Sequence, residues 1–241
     1  MVVASTPRRG LQFFEPVTGK MAVGPAPLKD GAYGVAFSLD GKLLAAANND
    51  WVRVYDAAKG DKLHEFTFNR KQIGRAWRVA FTPDSKHLAA ALHRFGGRER
   101  EGPLVRVWEL TTRKEVFTAW EGGHANAVAF SPDGKLLAAG GENDGTVEVY
   151  DWAAKKQISR FSADAHVVFC LAFSADGKKL YTGGNDPEVK LWDAATGRAV
   201  GKLEGHTDQV ADLALSKDGT VLATAGRDRQ VLVWHLGAKK P

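Results

Sequence analysis

Residues 128–151 read VAFSPDGKLLAAGGENDGTVEVYD, and this stretch decides the fold. Its segment SPDGK, residues 131–135, predicts a tight turn: Pro presets φ, Asp can bond its own backbone, and Gly supplies a positive φ. The apolar residues on either side of the turn are then the two strands of a hairpin. A Gly/Asn/Asp turn follows, and it leads into a short strand with alternating apolar residues that ends on Tyr150.

The same pattern returns along the whole chain. Copies of the turn segment lie at 38–42, 82–86, 174–178 and 216–220. An aromatic residue ends each alternating strand, and the last three intervals between these aromatics are 42 residues each. The first interval is 41 residues, and the second is 53 because of an 11-residue polar insert, His93 to Pro103. A chain that repeats every ~40 residues is built from stacked copies of one supersecondary unit. The aromatics are Phe14, Tyr55, Trp108, Tyr150, Trp192 and Trp234.

These repeats resemble those of bacterial-type WD-repeat β-propellers over nearly the whole chain. Trp192-Asp193 and Trp234-His235 match the Trp-Asp pair of that family, and Gly205-His206 matches its Gly-His pair. Gly123-His124 is a second Gly-His match, and Asp164-Ala165-His166 is a weaker form. The resemblance implies an all-β, WD-repeat-like β-propeller in which each repeat is a blade of four antiparallel strands. We name these strands a to d, from the inner to the outer strand.

We expect a single β-propeller domain, 1–241, with a partial blade at 1–30. Five repeats of the four-stranded unit follow at 31–70, 71–120, 121–162, 163–204 and 205–241, and the last stops before strand d. The partial blade lacks strand a, so the expected total is 22 strands. Closed propellers of six or seven blades need more, and we therefore expect a piece of a longer protein that is incomplete at the N-terminus. The alternative is a misassigned first blade and a ring of five or six irregular blades, and the closure stays open.

The resemblance also implies a structural tetrad in each blade. An indole N–H donates to a hydroxyl, which reaches an imidazole that a carboxylate holds. The last repeat has His206, Thr224, Asp228 and Trp234, and the one before it has Thr182, Asp186 and Trp192, with His166 as a less certain fourth member. The third repeat keeps His124 and Asp144 but has Ala139 where the hydroxyl belongs, and the first two repeats lack the histidine. The C-terminal blades are therefore expected to be the more rigid ones.

Enzymatic activity is not expected, although a His-Thr-Asp set also resembles catalytic machinery. The set recurs once per blade, which favours the structural interpretation. The histidines show no metal-ligand spacing beyond the repeat, and the Gly-rich segments end strands instead of opening a helix. We therefore expect no catalytic residue, no metal and no cofactor.

Charge, apolar runs and cysteine content predict the class of partner and the cellular compartment. The net charge is +5, but it is spread over turns such as Lys155-Lys156, whereas nucleic-acid binders usually show a concentrated basic stripe. Nucleic acid is therefore an unlikely partner. No apolar run reaches the ~20 residues of a membrane helix, so no membrane is expected. The single cysteine, Cys170, fits a reducing compartment, and we expect a cytoplasmic protein.

The expected function is that of a protein-interaction scaffold, which presents one face of the propeller to a protein or peptide. Alternatives are a regulatory or sensory module of a larger multidomain protein and a small-molecule or metal site in the channel. Self-association through open blade edges is also expected. The competing interpretation for the aromatic residues near strand a is that they only pack within the blade. The competing interpretation for the insert is a solvated loop. The candidate partner-binding residues are Asn49, Asn143, Asn185 and Arg227 in turns, Tyr33, Trp77, Phe169 and Gln209 near strand a, and Phe95 and Arg98 in the insert.

Overall fold

A computed structural model describes residues 2–6, 10–14, 18, 20–22, 31–68, 74–94, 103–120, 123–142 and 145–237. These residues form 22 β-strands in six antiparallel sheets. None of the described segments is a helix long and apolar enough to cross a membrane. The all-β fold class is therefore confirmed.

The strands fall into two compact units, Met1–Glu121 and Gly122–Pro241. The first unit holds a three-stranded sheet and two four-stranded sheets, in the orders β1-β2-β3, β4-β5-β6-β7 and β8-β9-β10-β11. Its strands are β1 (Val2–Thr6), β2 (Gly10–Phe14), β3 (Met21–Ala22), β4 (Gly34–Phe37), β5 (Leu43–Ala47), β6 (Trp51–Asp56), β7 (Lys62–Thr67), β8 (Arg75–Phe81), β9 (His87–His93), β10 (Val105–Glu109) and β11 (Glu115–Ala119).

The second unit holds two four-stranded sheets and a three-stranded sheet, in the orders β12-β13-β14-β15, β16-β17-β18-β19 and β20-β21-β22. Its strands are β12 (Ala125–Phe130), β13 (Leu136–Gly141), β14 (Thr146–Asp151), β15 (Lys156–Ser162), β16 (Val168–Phe173), β17 (Lys179–Gly184), β18 (Val189–Asp193), β19 (Ala199–Leu203), β20 (Val210–Leu215), β21 (Val221–Gly226) and β22 (Val231–His235). Whether the two units form the single domain expected from the sequence stays a prediction.

The a–b turns have the chemistry that the sequence predicts. In the third repeat the Ser131 hydroxyl donates to Asp133 Oδ1 at 2.6 Å, and the same oxygen accepts the Lys135 N–H at 3.1 Å. The Leu136 N–H donates to Ser131 Oγ at 2.9 Å, and Gly134 has a φ of 72°. Local polar contacts thus close each hairpin and fix its register. The equivalent hydroxyl–carboxylate pairs are Ser38–Asp40, Thr82–Asp84, Ser174–Asp176 and Ser216–Asp218.

The core of each unit lies along the b strands. Three consecutive alanines of β5 and three of β9 are fully buried, as are Ala138 and Ala139 of β13. Small side chains suit this position because the a strand of the next sheet packs against a b strand, as β8 does against β5 and β16 against β13. The larger residues of the c strands, such as Val52, Val105 and Val147, are also buried and complete the packing of each sheet.

The strand count agrees with the expectation, including three strands each in the first and last described sheets. The start of the insert differs from it. His93 is the last residue of β9 and pairs with Arg75 of β8, so it belongs to the sheet and not to the insert. The pairing of β9 with β8 continues the strand to His93, beyond the point at which the polar composition suggests a loop.

Candidate partner-binding site

Most a strands carry a β-bulge at the same register position. The pairing of β8 with β9 skips Trp77, because Ala76 pairs with Leu92 and Arg78 with Ala91. A bulge leaves the extra residue unpaired and re-aims its side chain. Two of the predicted partner-binding residues, Trp77 and Phe169, occupy this position. The residues skipped in the other sheets are Asn126 in β12, Phe169 in β16 and Ala211 in β20.

Three aromatic rings stack in the first unit. The ring centroids of Tyr33 and Trp77 are 5.4 Å apart with an angle of 21° between the planes, and those of Trp77 and His93 are 5.0 Å apart at 16°. Gly34 permits this stack, because a Cβ at that position would lie 2.4 Å from the Trp77 carbonyl oxygen. The close approach of β4 to β8 thus sets Tyr33 against Trp77. We call Tyr33, Trp77 and His93 the ring stack.

Arg75 lies beside the ring stack. Its Cζ is 5.0 Å from the Tyr33 centroid and 5.8 Å from the Trp77 centroid, which is within cation–π range. Among the residues that the structure describes, the guanidinium has no carboxylate and no hydrogen-bond acceptor. The predicted residue Asn49 follows Asn48, whose carbonyl oxygen accepts the Ala76 N–H at 2.9 Å. The turn that contains Asn49 therefore borders the start of β8.

A smaller cluster lies in the second unit. The Cζ of Arg227, an exposed residue, is 5.6 Å from the Phe169 ring centroid. The Arg227 N–H donates to the Gln209 carbonyl oxygen at 2.8 Å, and the Asn185 N–H donates to the Val167 carbonyl oxygen at 3.2 Å. The side-chain oxygen of Gln209 is buried and has no hydrogen-bond partner within the described part of the chain. The structure thus gathers four of the predicted residues here: Asn185, Phe169, Gln209 and Arg227.

Three further predicted partner-binding residues, Asn143, Phe95 and Arg98, lie outside the described residues, as does the tetrad candidate Asp144. Arg75 is a candidate that the sequence analysis missed. Its signal is its position two residues before the bulge in β8, and that bulge is visible only once the strands are paired.

In the last repeat the four tetrad side chains are hydrogen-bonded to one another. The Trp234 indole N–H donates to Thr224 Oγ1 at 2.9 Å, and His206 Nε2 lies 2.8 Å from the same oxygen. His206 Nδ1 lies 2.8 Å from Asp228 Oδ2, and both side chains are almost completely buried. Burial acts to raise the pKa of Asp228, but the Thr207 N–H and the imidazole outweigh it and lower that pKa. The tetrad therefore ties strands b and c to the segment before strand a.

The fourth repeat keeps one half of this arrangement. The Trp192 N–H donates to Thr182 Oγ1 at 2.9 Å. His166 does not join it, because its side chain is exposed. The buried carboxylate of Asp164 accepts the N–H groups of His166, Val167 and Asp186 at 3.0, 3.3 and 3.0 Å. Asp186 pairs with Lys190 instead of a histidine. The 42-residue interval between Asp164 and His206 is the sequence signal that points to this substitution.

The third repeat satisfies its aromatic hydroxyl in another way. Ala139 offers no oxygen, and the Tyr150 hydroxyl donates to the buried Glu148 on the same strand. Arg160 lies 3.5 Å from Glu148 and partners its charge. His124 accepts the Glu142 N–H through its backbone carbonyl at 2.9 Å. The aromatic side chain of strand c thus donates to a carboxylate here, where that of the last repeat donates to a threonine hydroxyl.

The aspartates of the a–b turns accept hydrogen bonds from residues of their own hairpins. Hydrogen bonds from the Ser hydroxyls are the main cause that lowers the pKa of Asp40, Asp133, Asp176 and Asp218 below the ordinary aspartate value. At Asp84, burial acts to raise the pKa, but Thr82 and the Lys86 N–H outweigh it. Across the described ranges, no group of three or more His, Cys, Asp or Glu side chains could hold a metal ion.

Comparison with known proteins agrees with this architecture. The family profile of the WD domain, G-beta repeat (WD40), matches residues 113–151, 155–193 and 197–235. Each matched stretch ends one residue after the aromatic residue of a c strand, at Asp151, Asp193 and His235. The matched repeats therefore run from strand d of one sheet through strand c of the next.

Several curated proteins are similar to parts of the chain. Small ribosomal subunit protein RACK1y of Oryza sativa subsp. japonica is 44% identical over 72 residues, which is 29% of this chain and 20% of that protein. Target of rapamycin complex subunit wat1 of Schizosaccharomyces pombe is 31% identical over 115 residues, or 46% of this chain and 32% of that protein. Transcription factor unc-37 of Caenorhabditis elegans is 35% identical over 85 residues, or 35% of this chain and 14% of that protein.

Each of these alignments thus spans less than a third of the relative's length. The repeats, the sheets and the matched family profile agree, and the chain belongs to the WD-repeat family of β-propeller proteins.

Proposed function

We propose that this chain is a non-catalytic interaction scaffold that presents the starts of its a strands to a protein or peptide. The ring stack with Arg75 carries the proposal. Trp, Tyr and Arg dominate the binding energy of protein interfaces, and all three types meet within 6 Å of one another here. All three side chains are half-buried, so they keep surface that a partner can cover.

The rigidity of the ring stack supports its proposed role in binding. Tyr33 is held by the 2.8 Å hydrogen bond from its N–H to the Ala47 carbonyl oxygen, and Trp77 is held between two rings. Side chains that are already ordered lose little conformational entropy when a partner binds. The relatives add support, since two of them are named as parts of larger assemblies, a small ribosomal subunit and a target of rapamycin complex.

The non-catalytic part of the proposal is supported by the uses found for the polar side chains. The turn aspartates are bound to hydroxyls and backbone N–H groups of their own hairpins. The His206–Asp228 pair is almost fully buried and bonded to Thr224, so it is poorly placed to meet a substrate. A cytoplasmic location belongs to the same proposal, because the one cysteine, Cys170, is a buried free thiol.

Self-association through a blade edge is a further part of the proposal. Val231 and Val233 of β22 are 70% and 58% exposed. Their register equivalents in the fourth repeat are Val189, which is fully buried, and Leu191, which is half-buried, and both pack against Val210 and Leu222 of the last sheet. Among the described strands, β22 has no neighbour on its outer side, and such an edge can pair with another chain.

The scaffold proposal is tested by affinity capture with single Trp77→Ala and Arg227→Ala variants and with the two changes combined. The combined variant should lose partners that the parent chain retains, while its unfolding midpoint stays close to that of the parent. Arg53→Ala is the matched control, because Arg53 also lies over an indole, that of Trp51, but is ion-paired to Glu65 at 2.8 Å. Capture by the combined variant equal to that of the parent would refute both the ring stack and the Arg227 cluster as partner-binding sites.

A further inference from the structure

We propose that Arg75 and the ring stack form a binding site for an acidic peptide segment. This inference rests on the scaffold function proposed above and specifies the chemistry of its partner. It is carried by the contrast between Arg75 and two ion-paired arginines of the same unit.

Two arginines of this unit, Arg53 and Arg106, have carboxylate partners. Arg53 Nε lies 2.8 Å from a Glu65 oxygen, and Arg106 Nη1 lies 3.4 Å from a Glu115 oxygen. Within the described ranges, Arg75 lies over the faces of Tyr33 and Trp77, and no residue brings an oxygen to its N–H groups. A half-buried charge without a counter-ion has lost part of its hydration and gains from an anionic ligand.

The geometry of a stacked guanidinium suits a carboxylate. A guanidinium whose face lies on an aromatic ring keeps its N–H groups at the edge, in the plane in which a carboxylate binds in a bidentate manner. The two rings also offer apolar surface next to the charge. The ligand that fits both features is a peptide in which acidic side chains stand beside apolar ones.

The backbone around the site is fixed in advance. The Gly74 N–H donates to the His93 carbonyl oxygen at 2.7 Å, and the Ala76 N–H donates to the Asn48 carbonyl oxygen at 2.9 Å. These bonds fix the backbone of Gly74 and Ala76, the residues on either side of Arg75. A site held in this way needs little reorganisation to receive a ligand, which favours binding.

A cationic ligand fits less well. The ring faces that would attract a lysine or methylated lysine are already shared with the Arg75 guanidinium. A second cation would meet a like charge at close range. The net charge of the chain, +5, also attracts acidic segments and repels basic ones.

The test uses three immobilised pools of short random peptides with the same apolar content. One pool is enriched in Glu and Asp, the second in Gln and Asn, and the third in Lys and Arg. Labelled protein should be retained about tenfold better by the acidic pool than by the amide pool, because a close charge pair strengthens binding by that order. The preference should shrink as salt is added, since the charges are only partly buried.

Variants assign the preference to Arg75. Arg75→Ala should lose it, and Arg75→Lys should keep only part of it, because lysine retains the charge without the planar fork. Arg53→Ala removes the same charge from an arginine that is already paired, so it should bind like the parent chain. The wild-type comparison of the acidic and amide pools needs no variant and is independent of folding defects.

Equal retention of the parent chain on the acidic and amide pools would overturn the acidic-peptide proposal, as would a preference that Arg75→Ala leaves intact. If that happens while Trp77→Ala still abolishes capture of cellular partners, the scaffold function stands and only the ligand chemistry is wrong. If Trp77→Ala and Arg227→Ala together change no capture, neither residue belongs to a partner-binding site and the scaffold proposal itself is wrong.

Discussion

The carboxylate of Asp164 occupies the register position that the imidazole of His206 occupies in the next blade. Each lies four residues before the valine that pairs with a glycine of strand b, Val168 with Gly184 and Val210 with Gly226. A Cβ on either glycine would lie 2.4 Å from the polar side chain, from Asp164 Oδ2 in one blade and from His206 Nδ1 in the other. Two different side chains therefore fill the same position beside strand b. Asp164 accepts hydrogen bonds from backbone N–H groups there, and His206 is hydrogen-bonded to other side chains.

Asp164→Ala is expected to destabilise the chain by about 2–3 kcal/mol, because it strands backbone N–H groups in a buried corner. Urea unfolding followed by tryptophan fluorescence measures the change. His166→Ala is the control, since the exposed histidine side chain should contribute less than about 0.5 kcal/mol. A larger effect at His166 than at Asp164 would show that the histidine is the structural residue.

Thr224→Val is expected to cost more stability than Thr182→Val, although both threonines are buried at the same register position. Thr224 Oγ1 serves the Trp234 indole and the His206 imidazole, whereas the Trp192 indole is the side-chain group bonded to Thr182 Oγ1. With about 0.5–1.5 kcal/mol per hydrogen bond, the difference between the variants should be about 1 kcal/mol. Chemical denaturation of the two variants measures it, and equal losses would show that the His206–Thr224 bond contributes nothing.

Gly34→Ala is expected to destabilise the first unit by about 1–3 kcal/mol and to disturb the ring stack, because the new methyl group would meet the Trp77 carbonyl oxygen. Near-UV circular dichroism reports the packing of Tyr33 and Trp77, and urea unfolding reports the stability. Gly201→Ala is the matched control, since a Cβ there meets no atom within 4 Å. An unchanged near-UV spectrum in Gly34→Ala would count against the close approach of β4 to β8.

Acid should weaken the a–b turns. The Ser131 hydroxyl is the main cause that lowers the pKa of Asp133 below its usual value of 3.8 in the folded chain. A carboxyl whose folded pKa is depressed stabilises the fold above its unfolded pKa, and that contribution is lost as the pH falls through the folded pKa. Ser131→Ala should therefore raise the pKa of Asp133 and flatten the dependence of stability on pH below about pH 4. Carboxyl titration by NMR checks the first effect, and an unchanged Asp133 pKa would contradict it.

The outer edge of β22 should support self-association. Placing a charge on that edge, with Val231→Lys and Val233→Lys, should reduce any dimers or larger species that light scattering detects in the parent chain, because charged side chains discourage edge pairing. Leu39→Lys is the control: Leu39 is also exposed, but it lies in an a–b turn and not on the edge of a strand. A monodisperse monomer of the parent chain would refute association through this edge.

Much of the fold could be predicted from local chemistry. The SPDGK-type turns and the alternation of the flanking strands predict the hairpins, because each turn is closed by residues within five positions of one another, such as Ser131, Asp133 and Leu136. The period of the aromatics then predicts the number of sheets. The continuation of β9 to His93 was missed because the polar composition there resembles that of a loop.

The sequence by itself determined the hairpins, their repeat and the family, because those follow from contacts between near neighbours along the chain. Only the tertiary structure decided which side chains meet across sheets. The bulge at Trp77, the approach of Gly34 and the position of Arg75 together assemble the ring stack from two blades. The choice of Asp164 over His166 likewise depends on which side chain reaches the backbone of the b–c turn at Asp186, since spacing along the chain carries the repeat but not the distances between strands.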